Sequence, residues 1–554
     1  MNFDAVLIPS RRERNVSAGY WRDQTINDAL DACLRERPDQ LALTAHRVAS
    51  GEVTRFTYAE LARMADRMAV GLHQLGVRAH DVVSCQLPNG WPFTLLYLAC
   101  ARIGAVLNPL MPIFRERELT FMLNHAESRV MVVPQTFRGF GHAAMLQGLR
   151  PELPHLQHLL VIGGTESGGT CFEAALTEPA WERDPEAARI LSATRPTADD
   201  VTQLMYTSGT TGEPKGVMHT ANTVSANIHA YAERLHLGAD DVILMASPMA
   251  HQTGFMYGLM MPIMLGARAV LQDVWDPVLA AQVIRDEGVS FTMASTPFLA
   301  DLTRVVGDGA SQGEAGVPTL KTFLCAGAPI PGPLVEQARA TLGAKIVSAW
   351  GMTENGAVTL IRPEDADERA VNTDGLPLPG VEIKVVDADG ATVPPGETGQ
   401  LWLRACSNFG GYLKRPHLNG TDADDWFDTG DQARIDAQGY LRITGRSKDV
   451  IIRGGENIPV LEVETLLYKH PAVAQAAVVG YPDARLGERA CAFVVPRPGQ
   501  TLSFEDMVAH FKAHKLTTQY IPERLEVLAA MPATPSGKIQ KFKLRDQLQA
   551  APTD

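Results

Sequence analysis

An apolar run, Val201–Met205, leads directly into Tyr206-Thr-Ser-Gly-Thr-Thr-Gly-Glu-Pro-Lys-Gly216, and few architectures accommodate that junction. The run reads as a buried strand. The loop after it carries four Ser or Thr hydroxyls, three glycines and Lys215. Glycine accepts the positive φ values that turn successive backbone N–H groups inward as an anion nest. Hydroxyls add donors and Lys215 adds a point charge, so a polyphosphate is the natural guest. On composition alone, a polar surface loop would satisfy the same residues. The G-x-x-x-x-G-K-[ST] signature is not met, because Lys215 follows Pro214 and precedes Gly216. That argues against a P-loop kinase or GTPase.

The rest of the chain bounds the setting. At 554 residues it is too long for one core, so two or more domains are expected. The net charge of −13 argues against nucleic acid as the main partner. Seven cysteines with no C-x-x-C pair fit reduced thiols in a cytoplasmic protein better than disulfides or a zinc site. Residues 1–30 contain Arg11, Arg12, Glu13, Arg14 and Asp23 and no apolar core, so no secretory signal is expected. The most apolar stretch, Phe255–Ala267, is interrupted by Pro262 and falls short of the roughly 20 residues that span a bilayer. It reads as a buried helix, and no transmembrane segment is expected.

Helical and strand patterns alternate through the first half. Thr57-Tyr-Ala-Glu60 is a capping box, and Leu61, Met64, Met68, Leu72 and Leu75 then share one face before Gly76. Strands are expected at 82–87, 130–133, 158–162, 242–246, 289–293, 322–325 and 345–349, and helices at 93–103, 278–287 and 334–342. This rhythm predicts an α/β fold: a large layered N-terminal domain with parallel-rich sheets, residues 1–444. Its last part, about 375–444, turns strand-rich with Pro and Gly turns and reads as a β subdomain. Residues 445–554 read as a small, mobile α+β C-terminal domain, about a hundred residues being enough for one.

Thr207–Gly216 resembles the phosphate-binding signature of the adenylate-forming superfamily, which holds acyl-CoA synthetases, luciferase and peptide-synthetase adenylation domains. Further segments agree in the family's order. The resemblance implies that Thr207, Ser208, Gly209, Thr210, Thr211, Gly212 and Lys215 hold the ATP phosphates. Gly327-Ala328-Pro329 is similar to the backbone beside adenine and the acyl group. Trp350-Gly-Met-Thr-Glu354 follows a strand end, where open α/β sheets place ligands. The family's matching segment usually begins with Tyr, so Trp350 is a departure. Thr353 matches a contact to α-phosphate and substrate carboxylate, and Glu354, with Thr207, matches the Mg2+ site. Asp431, in Asp428-Thr-Gly-Asp431, matches the ribose-binding carboxylate. Arg446 would reach ribose and phosphates, and Lys448 matches the pivot of the small domain. Gly454 and Gly455 match the loop beside the pantetheine channel. Lys538, in Pro535-Ser-Gly-Lys538, matches the catalytic lysine of adenylation.

The resemblance implies two steps. A carboxylate attacks the ATP α-phosphorus to give acyl-AMP and pyrophosphate, and the thiol of coenzyme A then displaces AMP. His251, Phe255, Met256, Gly258, Ser295–Phe298, 327–329 and 350–352 are the expected acyl pocket, with His251 closing over the carboxylate. Peptide-synthesising relatives carry, at the position His251 matches, an Asp that pairs with an α-amino group, and its absence argues against an amino acid. An apolar acid is expected: alicyclic first, as in cyclohexanecarboxylate-CoA ligases, with medium-chain and aryl acids close behind. The alternatives are a longer-chain acid and an acyl-AMP ligase that loads a carrier protein. The partners are thus a small carboxylic acid, ATP and coenzyme A, with a homodimer admitted.

Overall fold

A computed structural model describes residues 1–550 except 208–213, 314, 328–329, 447–450, 454–455, 459, 484–485, 515, 517 and 535–536. Local sequence sets many element ends. Thr57 and Glu60 exchange side-chain and backbone hydrogen bonds, and helix Tyr58–Gln74 follows, burying Leu61, Ala65, Met68 and Leu72. Asp276 accepts from the backbone N–H groups of Val278 and Leu279 to start helix Pro277–Glu287.

The described strands form two large sheets of nine and eight strands, a four-stranded sheet and a five-stranded sheet toward the C-terminus. In the first sheet, Val82–Cys85, Val106–Pro109, Val130–Pro134, His158–Ile162 and Val201–Thr207 run parallel. Lys215–Thr220 then folds back antiparallel on Val201–Thr207, and Gly411–Tyr412 pairs antiparallel with it. The second sheet sets Val242–Met245, Arg268–Gln272, Phe291–Ala294, Thr322–Ala326 and Lys345–Met352 in parallel. Gly356–Leu360 returns antiparallel beside the last. Buried on both faces, these strands read as continuous apolar runs. The smaller antiparallel sheet comprises Val381–Val386, Gly399–Ala405, Phe427–Ile435 and Leu441–Arg446. Toward the C-terminus, Val473–Asp483 and Gly487–Pro496 form a hairpin carrying helices Val460–Tyr468 and Phe504–Ala513, with a core of its own.

Three details differ from the sequence reading. The strand expected at 345–349 continues to Met352, so Trp350 is a strand residue. The apolar stretch from Phe255 is two short helices: a wide π turn, Phe255–Met260, then Met261–Leu265. Pro262 falls in the first turn of the second, where a missing N–H costs nothing. Thirdly, helix Ile8–Ser17 does more than fill space. Its Arg11, fully buried, donates to Asp425 and to the carbonyls of Asn408 and Phe409. That fixes the loop before Gly411–Tyr412. All seven cysteines are free thiols. Among the described residues, no helix is long and apolar enough to cross a membrane.

Candidate active site

The antiparallel return of Lys215–Thr220 puts Lys215 opposite Thr207, at the ends of their strands. On the other flank Tyr412 pairs with Val217, so the Tyr412 ring is the diagonal neighbour of Lys215. Lys215 Nζ donates to Tyr412 Oη at 2.9 Å and lies 4.0 Å from the ring centroid. Tyr412 Oη in turn donates to Glu354 Oε1 at 2.7 Å. Glu354, only 5% exposed, leaves the end of the other large sheet, and its carbonyl accepts from the Phe409 N–H. Two residues singled out by sequence, 139 positions apart by subtraction, are thus joined through one tyrosine.

Thr353 and Asp431 are held as firmly. His219 Nε2 pairs with the Thr353 carbonyl at 2.7 Å and Nδ1 with Thr223 Oγ1 at 3.0 Å. Burial pushes His219 down to about 4, so its ring is neutral and Nε2 carries the proton given to Thr353. Asp431, 3% exposed, accepts from Trp350 Nε1 at 3.0 Å through Oδ2, and its backbone N–H donates to Thr429 Oγ1. The Trp350 N–H thus orients the Asp431 carboxylate. The Trp350 ring packs toward Val385, Leu401 and Leu403 of the small sheet, which places it on that seam.

His251 caps the turn Gln252–Gly254, with Nδ1 accepting from the Thr253 N–H. Burial, then the positive charge of Lys538, lowers it to about 4. The C-terminal lysine is therefore close enough to be felt at His251. Its loop is docked there too: a side chain on Gly537 would meet Ser295 Oγ at 2.8 Å and the Pro297 ring at 3.1 Å. The turn is closed by Thr534 N–H to the Lys538 carbonyl at 2.8 Å and Lys538 N–H to Thr534 Oγ1 at 3.0 Å.

The expected acyl-pocket residues divide. Phe255 packs edge-on against Phe93 and Tyr97, and Gly258 lets the π turn lie against Met245, where a Cβ would be 2.3 Å from Cγ. These two support the wall from behind. Met256 Sδ accepts from Gln252 Nε2, itself one of a buried glutamine pair with Gln203. Gly327 follows strand Thr322–Ala326 with φ +88, and beyond its chain neighbours no described residue comes within 4 Å of where its Cβ would stand. Ser208, Gly209, Thr210, Thr211, Gly212, Ala328, Pro329, Lys448, Gly454 and Gly455 lie outside the described residues, as does the Arg446 side chain. The Arg446 backbone pairs with Asp431.

A single hard carboxylate, Glu354, linked to the lysine expected on the phosphates, would suit Mg2+, which keeps waters rather than filling a protein cage. Among the described residues no cluster of three or more His, Cys, Asp or Glu side chains could hold a metal alone. Tyr412, His219 and Arg11 escaped the sequence reading. Lone residues with no motif around them, they gain meaning only from strand register and long-range contact.

Known proteins match nearly the whole chain. The AMP-binding enzyme family matches residues 30–413, and the AMP-binding enzyme C-terminal domain matches 462–538. The medium-chain fatty-acid–CoA ligase of Escherichia coli (strain K12) is 36% identical over 97% of this chain and 93% of its own length. A salicylyl-CoA synthase / salicylate adenylyltransferase of a Streptomyces species is also 36% identical, over 96% of this chain and 95% of its own. The crystal structure of the anthranilate CoA ligase AuaEII with anthranoyl-AMP superimposes with a TM-score of 0.82. It is 25% identical and covers 95% of this chain and 98% of that one.

Proposed function

The chain belongs to the AMP-binding enzyme family, and on that footing we propose that it is an ATP-dependent carboxylic acid–CoA ligase acting through an acyl-AMP. One observation carries the reading. The loop of Lys538 rests on the larger part of the chain, with Gly537 against Ser295 and Pro297, and its positive charge acts on His251, the residue expected over the substrate carboxylate.

In the first step the substrate carboxylate oxygen bonds to the α-phosphorus and pyrophosphate leaves. Lys215 holds the phosphates, Asp431 accepts from the ribose hydroxyls, and Thr353 contacts the α-phosphate and the carboxylate. Mg2+, held by Glu354 and Thr207, would offset phosphate charge. Lys538 brings compact positive charge to the bridging oxygen, and neutral His251 closes over the carboxylate without repelling Lys538. In the second step a thiol attacks the acyl carbon and AMP departs, with Gly454–Gly455 beside the thiol. No side chain needs to form a covalent bond, so catalysis rests on position and charge. The large unit is taken as 1–444 and the small one as 445–554, pivoting at Lys448 between the two steps in the cytoplasm.

The substrate is an apolar monocarboxylic acid. By sequence, Met256, Ser295–Phe298 and the rest of the expected pocket bring no cationic partner for a second carboxylate and no carboxylate for an amino group. Relatives named for medium-chain and for salicylic acids support both a chain and a ring, and an alicyclic acid lies between them. A carrier-protein thiol is the second reading for the acceptor, favoured by the adenylyltransferase named among the relatives. The test is AMP release, with and without coenzyme A, across medium-chain, alicyclic and aryl acids. Coenzyme A-dependent AMP and thioester with at least one of them is expected. Pyrophosphate exchange with no thioester would select the carrier protein, and no ATP cleavage with any acid would overturn the reading.

A further inference from the structure

The roles above use Lys215 and Glu354 as separate tools and leave the residue between them without one. Tyr412 is 2% exposed and cannot swing away. Its N–H donates to Asn419 Oδ1 at 2.9 Å, and its ring packs on Phe409 at 4.7 Å between centroids. The carbonyl of Phe409 is in turn gripped by Arg11. The hydroxyl accepts from the Lys215 ammonium and donates to the Glu354 carboxylate, at 2.9 and 2.7 Å. A phenol keeps its proton at neutral pH, so the hydroxyl stays a donor to Glu354.

We propose that Tyr412 is a positioning residue: a neutral spacer that keeps the Lys215 ammonium and Glu354 carboxylate aligned but unfused until magnesium-bound ATP takes both. The inference rests on the assignment of these two groups to the phosphates and the metal. Lysine and glutamate are long, flexible opposite charges. Brought together in a half-buried site they would form a direct ion pair, and breaking such a pair is costly. Each would then neutralise the other in place of its intended guest. An intervening hydroxyl satisfies both with one hydrogen bond each, and the fixed ring supplies a second, cation–π contact to the ammonium. The nucleotide then has to displace two hydrogen bonds rather than separate an ion pair.

The variant Tyr412→Phe keeps the ring, its packing and its face toward Lys215, and removes one buried oxygen. Binding is measured by calorimetry with magnesium-ATP and with AMP, which lacks the β and γ phosphates, beside a melting curve. The Kd for magnesium-ATP should rise about tenfold, the scale of one hydrogen bond to a charged group, and half-saturation by Mg2+ should shift upward. AMP affinity should stay within about twofold, because AMP reaches neither Lys215 nor the metal carboxylate. In a Lys215→Met background, Tyr412→Phe should add less than about threefold, since the ion pair it releases is already gone. Equal weakening of ATP and AMP would mean a merely structural tyrosine and overturn the proposal. Unchanged magnesium-ATP binding, or full additivity with Lys215→Met, would overturn it as well. Wild-type protein that binds no magnesium-ATP would instead overturn the functional reading beneath it.

Discussion

Replacing Gly537 with alanine tests whether the Lys538 loop works where it is docked. The added Cβ has two separable costs. Gly537 has φ +82, a conformation that charges an L side chain about 1–2 kcal/mol. The turn itself demands that conformation, because Gly537 N–H donates to the Thr534 carbonyl at 2.8 Å. This cost belongs to the turn itself, and it registers as lower stability. The second cost arises only while the loop rests on Ser295 and Pro297, where the new Cβ meets Ser295 Oγ at 2.8 Å and Pro297 Cγ at 3.1 Å. A serine hydroxyl rotates away cheaply and a proline ring does not. A docking penalty of about 1–2 kcal/mol corresponds to about 5–30-fold slower adenylation. The assay compares acid-dependent pyrophosphate release with thioester formation from supplied acyl-AMP. Only the first should fall, and Ser295→Ala should restore part of it, as contacting residues couple. If both half-reactions slow equally, or neither does, the docked loop is not the adenylating arrangement.

Lys538→Ala should slow adenylation about 10²–10³-fold, the usual scale for one lost transition-state charge contact. Supplied acyl-AMP should still be converted to thioester by that variant at close to the wild-type rate. Trp350→Phe removes the 3.0 Å N–H bond to Asp431 and keeps a stacking face. Calorimetry should show ATP and AMP weakened together, by about tenfold, in contrast to Tyr412→Phe; an unchanged AMP affinity would separate Trp350 from the ribose site. His219 and His251 are held near 4 in the folded protein against 6.5 when free. The unfolded chain thus binds more protons between those values, so their stabilisation is complete above about 6.5 and is lost as pH falls toward 4. Melting curves across that range should show the loss, about 1.4 kcal/mol per pH unit for each group. His219→Gln should flatten the slope.

Local chemistry was legible wherever a short segment carries its own instructions. Thr57 and Glu60 cap the helix they precede, and Asp276-Pro277 opens the next one, because those bonds span only two or three residues. The phosphate loop stands out by its own composition, whereas Glu354, Asp431 and Lys538 are recognisable only through their resemblance to the adenylate-forming motifs in register with it. Sequence alone therefore fixed the α/β class, the order of the pieces and the nucleotide chemistry. It was less able to end a strand, and Lys345–Met352 ran past Ala349 because its neighbour Gly356–Leu360 supplies partners that no local pattern records.

What only the tertiary structure decided lies in contacts between distant segments. Tyr412 became the bridge between Lys215 and Glu354 because Gly411–Tyr412 pairs with Lys215–Thr220 in one particular register. A shift of one residue would turn the ring to the other face. Arg11 is one of several arginines near the N-terminus, and burial against Asn408, Phe409 and Asp425 distinguishes it. Trp350 looked like a stacking ring, and its N–H gained a partner only when strand Phe427–Ile435 of the small sheet brought Asp431 beside it. A residue's chemistry is written in its side chain, but its partner is set by a fold that closes loops of hundreds of residues.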